Sequence, residues 1–400
     1  MRKLVSTITG AEYPFERLDE FADNGEALEV ALTGIERARP QPGRHVWERF
    51  AEFLPFRAMD ASASLGEGNT PLVEAGGRLK SFTGIERLLL KNETQNPTWS
   101  FKDRGSLACI FMAQEMGEGV TATISTGNMG HSMAAYGARG GIRALVFVPE
   151  FAPREKLMAM AIHGATVLRV RGPDYAGMKK AVLGLAKGFN LRIVSGNGPL
   201  RAEGYKLTAF ELYEQSGGEL PDYIAVPTSA CGHIRGLFKG CRELLAAGLI
   251  GRLPRMIVAQ AANNSPIVSA IKQGAKQVIP FTNFHTVAEA ITTGNPLGGD
   301  EIIAKAYEHR WLAEDAAEEE ILEAQRVLAQ AGWFVEPAAA TTLGAVRKLR
   351  AAGRIAAGES VVLMLTGAGL KDIEALKGQP FNIVESDLDS VRRDLERALV

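Results

Sequence analysis

Only three cysteines occur in the 400 residues, Cys109, Cys231 and Cys241. An odd and sparse set of this kind argues against a disulfide framework and fits a reducing compartment. No apolar run approaches the roughly 20 residues of a membrane span, and the opening Met1-Arg-Lys-Leu-Val-Ser lacks the apolar stretch of a secretory leader, so a cytoplasmic protein is expected. Neither sign of charge is in excess. Lys and Arg number 45 against 46 Asp and Glu, a net charge of −1, so no overall field draws the chain to nucleic acid or an anionic membrane. Any anion it binds must be met locally. Internal repeats and low-complexity tracts are also lacking. What the chain does have is apolar content, 46%, and enough length for two domains with a large buried core.

Short β-branched apolar runs alternate with segments of helical period. Candidate strands are Val120 to Ser125, Arg143 to Val148, Ala165 to Val170, Tyr223 to Val226, Met256 to Ala259 and Val361 to Leu365. Between them, Arg154 to His163 and Leu207 to Gln215 repeat apolar residues at three and four. This alternation predicts an α/β protein with parallel sheets and right-handed crossovers. The acidic run from Glu314 to Glu320 reads as the solvated first turns of a helix, where carboxylates suit the dipole. Asp387 to Val400 reads as a terminal helix, and a domain boundary is expected near Arg201.

The strongest chemical lead is Lys102, in Asn96-Pro-Thr-Trp-Ser-Phe-Lys-Asp-Arg-Gly-Ser106, between a Pro-broken turn and the start of a helical pattern. An amine held at a helix start or in a desolvated pocket can form a Schiff base and act as a base. The alternative is a solvated lysine in a first helical turn.

Ser100-Phe-Lys-Asp-Arg-Gly105 resembles the pyridoxal-phosphate (PLP) lysine motif of fold-type II enzymes, most closely that of the threonine synthase family. Four further segments resemble that family in its order: Leu65-Gly-Glu-Gly-Asn-Thr-Pro-Leu72, Ser125-Thr-Gly-Asn128, Val335-Glu-Pro-Ala338 and Leu365-Thr-Gly-Ala-Gly-Leu-Lys-Asp372. The resemblance runs from about residue 61 to 380. It implies two parallel-sheet domains like those of the tryptophan synthase β subunit: a large PLP-binding domain of residues 61–95 and 201–380, and a smaller mobile domain of residues 96–200. Residues 1–60 would form an N-terminal extension and 381–400 a C-terminal helix, in a homodimer.

Parallel sheets bind ligands at the carboxyl ends of their strands, so the loops there come next. Ser125, Thr126, Gly127 and Asn128 form a glycine-containing turn into a helix through Met129, Met133 and Tyr136. Such a turn offers free N–H groups to a substrate carboxylate, or is an ordinary N-cap. The resemblance adds a hydrogen bond from Asn128 to the cofactor's 3′ oxygen and places Ser100 in the substrate site.

Pro227-Thr-Ser-Ala-Cys-Gly-His233 follows a strand with small residues at a helix start, which suits a dianionic phosphate. By position Thr228, Ser229, Ala230, Cys231, Gly232 and His233 resemble the PLP phosphate cradle. The family's loop is usually richer in glycine and asparagine. Two roles are open to His233, phosphate donor or helix cap. A nucleophilic role for Cys231 is not required. Thr366 ends the last strand. In the family a hydroxyl here faces the pyridine nitrogen, tempering the electron sink and favouring elimination and replacement. A plain turn residue is the other reading.

Arg201, in Ser195-Gly-Asn-Gly-Pro-Leu-Arg201, stands where the family has its phosphate arginine, and a guanidinium fork suits a phosphate dianion. Ser195, Gly196, Met129 and Trp99 depart from the residues the family commonly carries around this pocket. The resemblance therefore implies conversion of O-phosphohomoserine and water to threonine and phosphate, a carbon-oxygen lyase reaction on a phosphorylated amino acid. The alternatives are an O-phosphoserine β-replacement synthase such as cysteate synthase, with sulfite as nucleophile, a threonine or serine deaminase, and a catalytically silent metabolite-binding homologue. Many relatives begin with a Cys-x-x-Cys-Gly zinc ribbon. Here Ser6 and Thr9 occupy the cysteine positions, so no structural zinc is expected.

Overall fold

The apolar runs at Tyr223, Met256 and Val361 fold into strands buried on both faces. The structure, a computed structural model, describes every residue except 173, 174, 190, 283, 378–380, 382 and 400. The segment ends expected at Pro380 and Val400 thus lie outside the described residues. Twelve strands are present among the described residues: β1 Arg2–Ser6, β2 Glu12–Pro14, β3 Leu28–Leu32, β4 Leu72–Glu74, β5 Arg87–Asn92, β6 Val120–Ile124, β7 Arg143–Pro149, β8 Thr166–Val170, β9 Tyr223–Pro227, β10 Arg255–Ala261, β11 Leu312–Ala316 and β12 Ser360–Leu365.

They form three sheets, ordered β2-β1-β3, β11-β10-β9-β12-β5-β4 and β6-β7-β8. The first is antiparallel. The six-stranded sheet is parallel except for the edge strand β4. The third is parallel throughout. Side chains of a strand point alternately to its two faces. Ile224, Val226, Met256, Val258, Val362 and Met364 accordingly join one core with Phe50, Phe210 and Leu237, whereas Tyr223, Ala225, Ile257, Val361 and Leu363 join another with Leu343, Val346 and Leu328. Helices on both faces explain why these strands read as continuous apolar runs.

One expectation is corrected. Glu314 and Asp315 are not in a helix but in β11, the far edge of the six-stranded sheet. Their charges are tolerated there because Lys272 pairs with both carboxylates. The helix starts only at Glu318, and Glu320 accepts the N–H of Ala317 at 2.7 Å to cap it. The strand β5 ends in Lys91-Asn92 and carries a buried ion pair, Lys91 to Glu211 at 2.7 Å, which disguises it as a polar segment.

In the N-terminal sheet the turn after β1 is closed by side chains. Ser6 and Thr9 hydroxyls both donate to Glu26, and Ser6 Oγ accepts the N–H groups of Ile8 and Thr9. Oxygen donors already committed to one another make a poor zinc set. Metal analysis of protein purified without added zinc is expected to find no stoichiometric metal, and one tightly held zinc per chain would contradict this. None of the described helices is long and apolar enough to cross a membrane.

Candidate active site

Lys102 is the first residue of the helix Lys102–Glu115, which starts from a turn bent by Trp99 in the left-handed region at φ 62°. Its motif neighbours form the scaffold that holds it. Asp103 is fully buried and accepts from Thr98 N–H at 2.6 Å and from the Ser132 hydroxyl at 2.6 Å. Arg104, also buried, donates to Glu93 and Glu211, each at 2.7 Å. A Cβ on Gly105 would lie 2.6 Å from the Tyr205 ring, and one on Gly204 would lie 2.1 Å from the Arg104 carbonyl. Two glycines thus let the Lys102 helix cross the helix Pro199–Tyr205 at backbone contact. That crossing brings Arg201 close to Lys102.

Three separate segments are stitched above the lysine. Phe101 N–H donates to the Thr366 carbonyl at 3.0 Å, Ala368 N–H to Trp99 at 3.0 Å, and Glu336 N–H to Gly367 at 3.0 Å. Burial, and then the Arg201 guanidinium, bring the Lys102 amine down to about 7, with Glu336 opposing the fall. A neutral amine is therefore accessible near neutral pH, as a base or nucleophile requires. Burial raises the Glu336 carboxyl, which accepts from the Asn128 amide at 2.7 Å. Asn128 opens the helix Asn128–Gly140 at the carboxyl end of β6. Ser125 Oγ accepts the N–H groups of Gly127 at 3.3 Å and Gly130 at 3.2 Å, so it takes up two of the N–H groups at that helix start. Thr126 and Asn128 are half-buried in the same turn, and Gly127 is exposed.

The loop after β9 leads into the helix Gly232–Ala246. Thr228 turns inward, its N–H donating to Ala259 at 2.8 Å and its hydroxyl to Val226 at 2.9 Å, so both groups are engaged within the fold. Ser229 Oγ meets Thr293 at 2.8 Å. Among the described residues none accepts from the backbone N–H of Ser229, Ala230, Cys231, Gly232 or His233. Cys231 occupies the left-handed region at φ 73°, a conformation that turns successive N–H groups to one side. Burial pushes its thiol far above the usual range, which excludes a thiolate. His233 does not cap the helix. Its ring stacks on Phe101 at 3.9 Å and 18°, with neither nitrogen hydrogen-bonded. Burial, aided by Lys102 and Arg104 and opposed by Glu93, brings it to about 3, so it is neutral.

Around the lysine lies a set of buried polar atoms without hydrogen-bond partners among the described residues: Ser100 Oγ, Arg201 Nε and Nη2, Tyr205 Oη, and both His233 nitrogens. Arg201 is fully buried, and among the described residues its guanidinium makes one long hydrogen bond, 3.4 Å from Nη1 to Ser106. The Tyr205 hydroxyl lies near enough to the guanidinium for the two to act on each other's protonation, though outside strict hydrogen-bond geometry. Orphaned buried groups cost about 1–3 kcal/mol each, more when charged, so a cluster of them marks a ligand's place. A phosphorylated aldehyde fits. The five free N–H groups suit its phosphate and Lys102 its carbonyl, and Thr366 follows β12 with its carbonyl bonded to Phe101 beside the lysine.

Sequence reasoning missed Glu336, Tyr205 and Glu20. Glu336 lay inside a motif already singled out and precedes the proline that opens a helix. Tyr205 sits four residues after Arg201, the spacing that shares a helix face. Nothing local in the sequence marks Glu20.

A family model described as pyridoxal-phosphate dependent enzyme matches residues 63–367. The threonine synthase of Methanocaldococcus jannaschii is 38% identical over 356 residues, 88% of this chain and 87% of that protein. The threonine synthase of Synechocystis sp. is 34% identical over 377 residues, 94% of this chain and 95% of that protein. Among solved structures, a pyridoxal 5'-phosphate-dependent aspartate racemase superposes with a TM-score of 0.64 at 24% identity, covering 77% of this chain and 92% of that one. The processed threonine deaminase isoform 2 of Solanum lycopersicum gives 0.65 at 17% identity, covering 90% and 91%. At those identities the two structures speak for the fold alone.

Proposed function

Since the chain belongs to the pyridoxal-phosphate-dependent enzymes, and within them to the threonine synthase family, we propose that it converts O-phosphohomoserine and water to threonine and phosphate. The observation that carries this reading is Arg201, a fully buried guanidinium beside Lys102 with Nε and Nη2 unsatisfied. A buried cation left with free donors suits a dianion that arrives with the substrate.

Bound PLP supplies an electron sink for negative charge next to the substrate's amino nitrogen. Lys102 would hold it, with the N–H row from Ser229 to His233 at its phosphate, Asn128 at its ring oxygen and Thr366 at its ring nitrogen. The Lys102 amine, once free, takes the proton from Cα and serves again at Cβ. Its lowered pKa suits both steps. The free N–H groups of the Asn128 helix receive the substrate carboxylate. Arg201 holds the phosphate as its bond to Cγ breaks, Cγ takes up a proton to become the methyl group, the hydroxyl of water ends on Cβ, and a proton returns to Cα. Residues 61–95 with 201–380 form the large domain in this reading, residues 96–200 the smaller mobile one, and the enzyme is a homodimer.

Purified enzyme assayed on O-phosphohomoserine, O-phosphoserine and threonine is expected to prefer the first by kcat/KM. Preference for O-phosphoserine with sulfite would make it a β-replacement synthase. Ammonia release from threonine as the main reaction would make it a deaminase.

A further inference from the structure

Between β2 and β3 of the N-terminal sheet, Glu20 reaches the loop that leads to Arg201. Glu20 Oε1 accepts the backbone N–H of Ser195 at 2.6 Å, and its own carbonyl accepts the N–H of Leu28 at 3.3 Å. Leu28 begins β3, and its carbonyl accepts from Arg235 Nη2 at 2.7 Å. Arg235 Nη1 closes the circuit on Asn197, at 2.6 Å from its carbonyl and 2.8 Å from Oδ1. The loop Ser195 to Gly198 is thus gripped at both ends by the N-terminal segment and the cradle helix. A Cβ on Gly198 would fall 2.4 Å from Glu20 Oε1, so glycine is what admits the carboxylate. The helix bearing Arg201 starts at the next residue, Pro199. Burial raises the Glu20 carboxyl, and the hydrogen bond from Ser195 and the charges of Arg201 and Lys179 oppose that rise.

We propose that Glu20 is a positioning residue for the phosphate clamp: by holding Ser195 N–H it fixes the Ser195 to Gly198 loop and so the placement of Arg201 toward Lys102. This rests on Arg201 being the clamp. The role asks only for an acceptor oxygen, which an amide also supplies.

The test compares Glu20→Gln, Glu20→Ala, Gly198→Ala, the Glu20→Ala and Gly198→Ala double variant, and Arg201→Ala holoenzymes. Three quantities are read: competitive inhibition by inorganic phosphate, KM and kcat for O-phosphohomoserine, and hydrogen exchange of the segment 195–201. Glu20→Ala and Gly198→Ala should each weaken phosphate about tenfold, mainly in KM, and speed exchange of the segment, since small misplacements of a binding group are costly. Glu20→Gln should stay within about twofold of wild type, as it keeps the acceptor. Gly198→Ala should add little in the Glu20→Ala background, because both act through one contact. Phosphate affinity unchanged in Glu20→Ala while Arg201→Ala loses it overturns the role of Glu20 alone. Glu20→Gln falling as far as Glu20→Ala overturns it too. Unchanged affinity in Arg201→Ala removes the clamp itself and this inference with it.

Discussion

Lys102→Ala is expected to lose the covalent attachment of PLP and to cut turnover by about 10⁴-fold or more, the upper end of what a positioned proton-transfer group contributes. The size of the effect follows from two roles falling on one amine. In the proposed reading it anchors the cofactor, and it is the basic group that burial and Arg201 bring down to about 7. The variant should still fold, because the helix start is held by Asp103 and Arg104 rather than by the lysine. It should also still bind PLP non-covalently, since the free N–H row at the helix from Gly232 is untouched. Borohydride reduction of the wild-type holoenzyme should place the modified residue at Lys102 in a digest. A modified lysine elsewhere, or an unaltered aldehyde-amine absorbance band in the variant, would contradict the assignment.

Arg201→Ala is expected to lower kcat/KM for O-phosphohomoserine by between about 10²- and 10⁴-fold. Two charge-assisted hydrogen bonds at about 1.5–3 kcal/mol each set that range. Threonine or serine as substrate should suffer far less, presenting no dianion to the empty position. Arg201→Lys should recover only part of the loss, since it offers charge without the fork. The side chain is fully buried, so each variant must first be shown to retain PLP. If both variants keep wild-type efficiency on a phosphorylated substrate, Arg201 is not the clamp and the threonine synthase reading loses its carrying observation.

Much of this was legible in the sequence for a physical reason. The buried strands β9, β10 and β12 are covered on both faces, so they appear as unbroken apolar runs between helical periods. The Lys102 segment was readable because its scaffold is local: Asp103 bonds to Thr98, and Arg104 to Glu93. Less legible were β5 and β11, whose polar residues are neutralised by partners distant in sequence, Lys91 by Glu211 and Glu314 by Lys272. His233 was open between donor and cap until its stacking on Phe101 excluded the cap. Thr228 looked like a cradle residue, yet its polar groups are committed to Val226 and Ala259. Glu20 reaches Ser195 across 175 positions of sequence, and no local pattern reports such a contact.

The most direct measurement is product stoichiometry. PLP-loaded enzyme given O-phosphohomoserine as sole substrate should release threonine and inorganic phosphate in a one-to-one ratio, with no ammonia and no added nucleophile beyond water. Phosphate without threonine, ammonia in equal amount, or no reaction on this substrate alongside turnover of O-phosphoserine would contradict the account.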